Sequence, residues 1–121
     1  MMDEVIEKKE TEALESNSKK SAWLSYTMIE ERMRKIYFRF YKETYKASKI
    51  DRKSKELIAI AASLGFQCEG CLEGHVKKAL QYGATEEEIS EAICISMGVA
   101  AASVVDQTDI IAQKIQRKFF D

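Results

Sequence analysis

The 121-residue sequence contains no proline and only five glycines. Proline is the residue that most strongly interrupts a helix, so long helices are unobstructed, and breaks are expected at glycines and capping residues. Sustained two-residue alternation of apolar and polar side chains, the pattern that predicts a strand, is also missing. These absences predict an all-α fold. Hydrophobic residues make up 45% of the chain, which is enough for the core of one domain.

The sequence also lacks an excess of charge of either sign and a long apolar run. Lys+Arg number 19 and Asp+Glu 20, and the net charge of -1 gives no reason to expect a nucleic-acid partner. No run of 18 apolar residues is present, so no membrane-spanning segment is expected. The chain opens with Met1, Met2, Asp3 and Glu4, without the apolar stretch of a signal peptide. The expected location is therefore the cytoplasm.

The organisation of the chain is predicted from charge and from helical periodicity. Residues 1–20 are densely charged and predict a short amphipathic helix or a mobile arm, which leaves residues 21–121 as the folded domain. Within this domain, apolar residues recur every three or four positions and predict a bundle of about five to six helices. The first of these is expected to run from Trp23 to about Lys46.

Capping residues predict where later helices begin and end. Asp51 is expected to cap a helix that Gly65 ends. Thr85, followed three residues later by Glu88, has the pattern of a capping box.

The C-terminal half is expected to contain two helices, because Gly98 and Ser103 are placed to bend the chain before a last helix through Ile115. The apolar faces of all these helices are more numerous than a small bundle can cover. An uncovered apolar face usually marks an interface, so assembly into an oligomer is predicted.

Cysteine is scarce, with three in the chain, and histidine occurs once. In a reducing cytoplasm, a close cysteine pair is more often catalytic or metal-binding than a structural crosslink. Cys68 and Cys71 are separated by two residues at a predicted helix start, so both sulfurs lie within one turn, where a disulfide or a shared metal becomes possible. The unpaired N–H groups and positive dipole end of that turn favour a thiolate.

Two further residues supply proton chemistry. His75 lies four residues after Cys71 and therefore on the same helix face, where it can accept a thiol proton or, when protonated, hold the thiolate. Glu56 is the acid at the start of an otherwise apolar stretch, so burial is expected to raise its pKa. It could accept a proton directly or through water.

Other interpretations stay open on the residues alone. Cys68, Cys71 and His75 could be three zinc ligands of a metal-binding or thiol-sensing module, although a structural zinc site requires a fourth ligand. Cys94 is the only spare thiol and is expected to be a small core residue. Glu56 could instead be an exposed helix residue, because the run before it is basic.

Taken together, Glu56, Cys68, Cys71 and His75 have the Glu-x(11)-Cys-x-x-Cys-x-x-x-His spacing, which resembles that of the alkylhydroperoxidase (AhpD-like) members of the carboxymuconolactone decarboxylase superfamily. A lone cysteine pair would be a weak signal, but the complete set at this spacing is specific. The similarity covers roughly residues 36–112 and extends to flanking residues 51–58, 82–85, 88–89 and 91–93.

The resemblance implies an all-α, AhpD-like helical bundle that assembles as a trimer or hexamer. The activity it implies is an antioxidant, thiol-dependent peroxidase or disulfide reductase without a metal or bound cofactor. A hydroperoxide would be reduced through a Cys68–Cys71 disulfide cycle, with Glu56 and His75 as the proton relay. A dithiol, or a lipoyl- or thioredoxin-type protein, would then reduce the disulfide, and a peroxiredoxin is a further implied partner.

Two questions stay open: which cysteine attacks the hydroperoxide, and whether the reaction is redox chemistry. The helix start favours Cys68 as the low-pKa thiol, whereas the nearby His75 favours Cys71 as the attacking thiol. We expect Cys71 to attack, and Cys68 to resolve the sulfenic acid and to face the reducing partner. A non-redox reaction on a small acid, like that of the lactone decarboxylases, is the alternative activity, but those superfamily members generally lack the cysteine pair.

Overall fold

A computed structural model describes residues 2–9 and 26–120 of the chain. Five helices form in these ranges, and no strand is present among the described residues, which confirms the predicted all-α fold. Helix α1 covers residues 2–9. The others are α2 (Glu31–Tyr45), α3 (Arg52–Gly65), α4 (Glu69–Gln81) and α5 (Glu86–Lys114).

The chain divides into two compact units, Met1–Glu56 and Leu57–Asp121. The first unit contains α1, α2 and the first turn of α3, and the second contains the rest of α3 with α4 and α5. The predicted boundary between residues 20 and 21 lies outside the described residues and stays a prediction, as does the remainder of the N-terminal segment after residue 9.

Helix α2 begins later than its periodicity predicts. The expected start at Trp23 lies outside the described residues, and the helix begins at Glu31. Tyr26 has a left-handed backbone (φ 55°), and its carbonyl accepts a hydrogen bond from the N–H of Ile29 at 3.0 Å, which makes a turn instead of a helix. The centroids of the Tyr26 and Tyr37 rings lie 5.4 Å apart. The pKa of Tyr37 is raised to about 12, mainly by a side-chain hydrogen bond with Tyr26 and secondly by burial.

Helix α2 has no buried residue in the single chain. Its apolar side chains are therefore not part of the core of the single chain. The exposed set comprises Met33, Ile36, Tyr37 and Phe40. These side chains remain available for an interface.

Helix α3 starts at the predicted cap. The carboxylate of Asp51 accepts hydrogen bonds from the backbone N–H (3.1 Å) and the side-chain hydroxyl (2.6 Å) of Ser54. The hydroxyl contact is the main reason that the pKa of Asp51 lies below its ordinary value of 3.8. Helix α3 ends at Gly65, as predicted, but the left-handed residue that follows its end is Gln67 (φ 54°), two positions later.

The core of the second unit lies where α3, α4 and α5 pack together. Ile60 and Ala79 are fully buried, and Ala84 is 7% exposed. Six partly buried apolar residues pack around them, namely Leu57, Leu64, Leu72, Val76, Ile89 and Ile93. Burial of these side chains holds α4 against its neighbours and so fixes the helix that carries the cysteine pair.

Helix α5 is continuous for 29 residues, which corrects the predicted bend at Gly98 and Ser103. Its start is the predicted capping box: Glu88 N–H donates to Thr85 Oγ1 at 3.1 Å, and Thr85 N–H donates to Glu88 Oε1 at 2.9 Å. A single glycine costs a helix interior only about 1 kcal/mol. Because no proline is present, this cost does not break the helix.

Most of the side chains along α5 are exposed in the single chain. The apolar residues exposed by more than half from Ile95 onward are Ile95, Met97, Val99, Val104, Val105 and Ile111. By length and composition alone, this helix could cross a membrane, which the sequence analysis did not anticipate. The core helix of a soluble protein can have the same length and composition, so these properties alone do not identify a membrane-spanning helix.

Candidate redox-active site

The end of α3 sets the position of Cys68. The N–H of Cys68 donates to the carbonyl of Ser63 at 2.9 Å, and the N–H of Gln67 donates to that of Leu64 at 3.2 Å. With the left-handed Gln67 between them, these two bonds form a Schellman motif, which ends one helix and turns the chain. Cys68 is therefore held by backbone hydrogen bonds at the point where α4 starts.

Cys68 is the N-cap residue of α4, and Cys71 lies in the first turn of that helix. The two are joined by a disulfide, with their Cα atoms 5.2 Å apart. The Sγ of Cys68 also accepts a hydrogen bond from the backbone N–H of Cys71 at 3.3 Å. A sulfur at this position lies at the positive end of the helix dipole, which stabilises the thiolate when the disulfide is reduced.

The two sulfur-bearing residues differ in exposure. Cys71 is exposed, whereas Cys68 is half-buried. In the oxidised protein, Cys71 is therefore the more accessible side of the disulfide. Which cysteine faces the reducing partner stays a prediction.

His75 lies one helical turn after Cys71, on α4, and is 7% exposed. Ala79, a further turn along the same face, is fully buried. The face of α4 thus passes from an exposed sulfur to a buried imidazole and then into the core of the second unit. An imidazole one turn from the sulfur, with little exposure to water, is suited to receive a proton and return it.

Glu56 is fully buried, which excludes the alternative that it is an exposed helix residue. Its Oε1 accepts hydrogen bonds from Nε (2.9 Å) and Nη2 (2.7 Å) of Arg52, one turn earlier on α3. Burial of a carboxyl group favours its neutral form, and the adjacent guanidinium favours its charged form. Only the effect of burial was predicted from the sequence.

Arg52 is the residue that the sequence analysis missed. It belongs to the basic run that precedes Glu56, but it is only 3% exposed. Its guanidinium carbon lies 5.7 Å from the ring centroid of Tyr45, a cation–π distance. The pKa of Tyr45 is raised to about 12, first by burial and then by the charges of Tyr41 and Glu56, and Arg52 opposes the rise. The four-residue spacing of Arg52 and Glu56 was the available signal.

The predicted site residues fall into two groups. Cys68, Cys71 and His75 come together on α4 in the second unit, and Glu56 is the last residue of the first unit. The place of Glu56 in a relay to the sulfurs remains a prediction.

The exposure of Cys94 and the arrangement of possible zinc ligands bear on two further expectations. Cys94 is exposed and not disulfide-bonded, so the prediction that it is a core residue is wrong. Its neighbour Ile93 packs against the core instead. Over residues 2–9 and 26–120, no group of three or more His, Cys, Asp or Glu side chains is arranged to hold a metal ion.

Comparison with known sequences supports the resemblance. The sequence profile of the carboxymuconolactone decarboxylase family matches residues 31–110, about two thirds of the chain. A Paracoccus denitrificans protein named "uncharacterized protein 4 in cox locus" is 44% identical over 54 residues, which are 45% of this chain and 49% of that protein. The chain thus spans about half the length of the curated relative that it matches.

Solved structures with the same fold come from two organisms. A Methanobacterium thermoautotrophicum protein is 26% identical, with a TM-score of 0.62 over 66% of this chain and 90% of that one. A carboxymuconolactone decarboxylase family protein of Thermotoga maritima, described with a possible involvement in antioxidative response, is 28% identical, with a TM-score of 0.53 over 68% and 88%. A second structure from Thermotoga maritima, 24% identical with a TM-score of 0.56 over 88% and 98%, supports the fold alone.

Proposed function

Because the chain belongs to the carboxymuconolactone decarboxylase family, we propose that it is a thiol-dependent peroxidase of the AhpD-like kind, with an antioxidant role. The observation that supports this most strongly is the Cys68–Cys71 disulfide at the start of α4, with the nearly buried His75 one turn away. A family relative described with a possible involvement in antioxidative response adds support.

The proposed reaction has three steps. The thiolate of Cys71 attacks the terminal oxygen of the hydroperoxide, so an S–O bond forms, the O–O bond breaks, and an alcohol leaves after taking up a proton. Cys68 then attacks the sulfur of the resulting sulfenic acid, which forms the disulfide and releases water. Finally, a dithiol reduces the disulfide by exchange and is itself oxidised to a disulfide.

His75 and Glu56 are proposed to carry the proton. His75 takes the thiol proton from Cys71, and the carboxylate of Glu56 stabilises the resulting imidazolium. The same proton then passes to the alkoxide as the O–O bond breaks. A base held close to the sulfur can accelerate such a step by about 10²–10⁴-fold.

Exposure supports Cys71 as the sulfur that meets both substrates. It is exposed, so a hydroperoxide can reach its thiolate, and a reducing dithiol can reach its side of the disulfide. Exchange at Cys71 would release Cys68 as the leaving thiolate. The N–H bond and the helix dipole stabilise that thiolate, and a better-stabilised thiolate leaves faster.

The reductant and the location are parts of the same proposal. A dithiol carrier, either a lipoyl- or a thioredoxin-type protein, would restore the reduced pair, and a peroxiredoxin is a further candidate partner. The cytoplasm is the proposed location, because its thiol systems would return the disulfide to the dithiol.

We further propose that the chain works as a homo-oligomer, a trimer or a hexamer. The middle of helix α5, residues 92–105, carries no charged side chain and yet is mostly exposed, and such a stretch is normally covered by other protein. Val104→Lys, which places a charge on this helix, is expected to yield smaller species in sedimentation or light scattering. An unchanged mass would show that this position of α5 is not in an interface.

The anchoring of α5 favours assembly over membrane insertion. The hydroxyl of Ser96 donates to the carbonyl of Ala61 at 3.3 Å, which holds that point of α5 against α3. Asp106 follows ten residues later. With a rise of about 1.5 Å per residue, the uncharged stretch between them covers only about half of a ~30 Å bilayer core.

The proposal is tested by mass spectrometry of thiols. Reduced protein is mixed with tert-butyl hydroperoxide, quenched with iodoacetamide and digested, in the wild type and in Cys94→Ser, the matched control. We expect rapid loss of two alkylation sites, a bond mapped to Cys68–Cys71, and recovery with a dithiol. Thiols of the pair that stay reduced, or that are masked by a co-purifying metal, would contradict the peroxidase proposal.

A further inference from the structure

We propose that Arg52 is a positioning residue for Glu56, and that Glu7 of the N-terminal helix α1 holds Arg52 in place. The inference rests on the proposed function, because it concerns the carboxylate that stabilises the His75 imidazolium in that reaction. It concerns contacts within the first unit only.

The contact between Arg52 and Glu56 fixes the carboxylate in one orientation. Two nitrogens of the guanidinium donate to the same carboxylate oxygen, at 2.9 and 2.7 Å, and the exposed fractions of the two residues are 3% and 0%. The guanidinium is planar and its donors have fixed directions, so the oxygen is held at a defined point. A flexible glutamate without this contact would sample several rotamers.

Two other groups hold the guanidinium. The ring of Tyr45 lies beneath it at 5.7 Å, and Oε1 of Glu7 lies 3.8 Å from Nη1. Glu7 is itself oriented, because the same oxygen accepts the backbone N–H of Ala47 at 3.1 Å. The N-terminal helix therefore adds a second carboxylate to Arg52, from a segment that precedes the region matched by the family profile.

Stability alone is a weak reason for this arrangement. Replacing a buried ion pair with apolar residues of similar size is often neutral or stabilising. A carboxylate that must stabilise an imidazolium in every cycle requires a fixed position and a retained charge, and Arg52 supplies both. Residues that orient a functional group in this way commonly change activity by about 10–100-fold when replaced.

The test measures cysteine reactivity without any peroxide. The full-length chain carrying Cys94→Ser is reduced, and iodoacetamide alkylation of the remaining pair is followed from pH 5 to 10. The same measurement is made for Glu56→Gln, Arg52→Gln, Arg52→Lys, Glu7→Gln and the Arg52→Gln/Glu56→Gln combination. Arg52→Lys and Glu7→Gln preserve side-chain size closely, so they remain informative if Arg52→Gln does not fold.

We expect Glu56→Gln to move the alkylation midpoint to higher pH, because the imidazolium that forms when His75 takes up the thiol proton loses its stabilising carboxylate. Arg52→Gln should shift the midpoint in the same direction and slow alkylation at pH 7 about tenfold. Arg52→Lys should recover part of this rate, and Glu7→Gln should give a smaller shift than Arg52→Gln. The double variant should match Glu56→Gln alone, because Arg52 acts through Glu56.

Wild-type profiles in both Arg52→Lys and Glu7→Gln would overturn the inference, and so would an unshifted profile in Glu56→Gln. An additive shift in the double variant would also overturn it, because it would show that Arg52 acts independently of Glu56. The proposed function can fail separately: a wild-type chain that is unreactive towards hydroperoxide, with these shifts intact, would remove the peroxidase proposal and support the positioning role.

Discussion

Replacing Arg52 with methionine, while Glu56 stays in place, should destabilise the protein much more than replacing both residues. Methionine has a similar length but no charge, so the carboxylate would remain buried without its two hydrogen bonds. Removing one partner of a buried pair leaves an uncompensated charge, whereas removing both takes away the charge together with its desolvation cost.

The expected magnitude follows from the contacts. Hydrogen bonds to charged groups contribute about 1.5–3 kcal/mol each, and breaking a buried ion pair costs about 3–5 kcal/mol. The exposed fractions of 3% and 0% leave little screening by solvent, so we expect a loss of about 3–5 kcal/mol for Arg52→Met. The Arg52→Met/Glu56→Met double variant should lie within about 1 kcal/mol of the wild type or above it.

Urea unfolding followed by far-ultraviolet circular dichroism, at one fixed protein concentration, provides the free energies. Glu31→Gln is the matched control, since it removes the exposed pair between Glu31 and Lys35 (3.4 Å), which also spans one helical turn, and should cost at most about 0.5 kcal/mol. A loss below about 1 kcal/mol for Arg52→Met, or equal losses in the single and double variants, would refute the reasoning.

Three further predictions concern the core, the helix ends and pH. Ile60→Ala should lower the free energy of unfolding in urea by about 2–5 kcal/mol, because Ile60 is fully buried. Ile58 is 56% exposed, so Ile58→Ala should lower it by less than about 1 kcal/mol. Equal losses in the two variants would contradict the assigned core. Gly83 and Gln67 both have a left-handed backbone (φ 88° and 54°), which glycine adopts without strain. In thermal unfolding, Gly83→Ala should therefore destabilise the protein and Gln67→Gly should stabilise it, each by about 0.5–1 kcal/mol. Changes of the opposite sign would contradict the assigned turns. The pKa of Asp51 is lowered, chiefly by the Ser54 hydroxyl. The contribution of this carboxylate to folding stability is therefore fully present above its ordinary pKa of 3.8, and it is lost as the pH falls through the lower pKa of the folded state. The stability difference between wild type and Asp51→Ala should therefore shrink from about 1 kcal/mol at pH 7 as the solution is acidified below pH 3.8, and a difference independent of pH would count against this cap.

Helix ends were predictable from the sequence where they depend on residues close in the chain. Asp51 and Thr85 cap their helices through side chains that reach only three residues ahead, so the local sequence contains all the participants. The end of α3 at Gly65 was predicted, but the left-handed residue after it was not, because Gln67 and not a glycine adopts that conformation.

Other elements depend on contacts that periodicity does not contain. The late start of α2 follows from the left-handed turn at Tyr26, whose ring packs against Tyr37, eleven residues away. The continuity of α5 through Gly98 is a balance of small energies, in which the cost of one glycine is less than the stability of the helix around it.

The candidate site shows the same division. Cys68, Cys71 and His75 lie within eight residues on one helix, so their spacing alone indicated their common face. The burial of Arg52 and the exposure of Cys94 depend on which helix face meets another element. That information is tertiary, so the basic run around Arg52 and the apolar residues beside Cys94 did not predict the exposure of either residue.

Turnover of hydroperoxide is the most direct test of the central claim. Hydrogen peroxide and tert-butyl hydroperoxide would be supplied in large excess over protein, with dihydrolipoamide as the reductant, and peroxide consumption would be measured in the wild type, Cys94→Ser, Cys71→Ser and Cys68→Ser. The account predicts many equivalents consumed per chain in the wild type and in Cys94→Ser, and none above background in Cys71→Ser. Turnover should be lower in Cys68→Ser than in the wild type, because only the added dithiol can then resolve the sulfenic acid of Cys71. Consumption that stops at one equivalent in the wild type, or that continues without Cys71, would contradict a catalytic Cys68–Cys71 cycle.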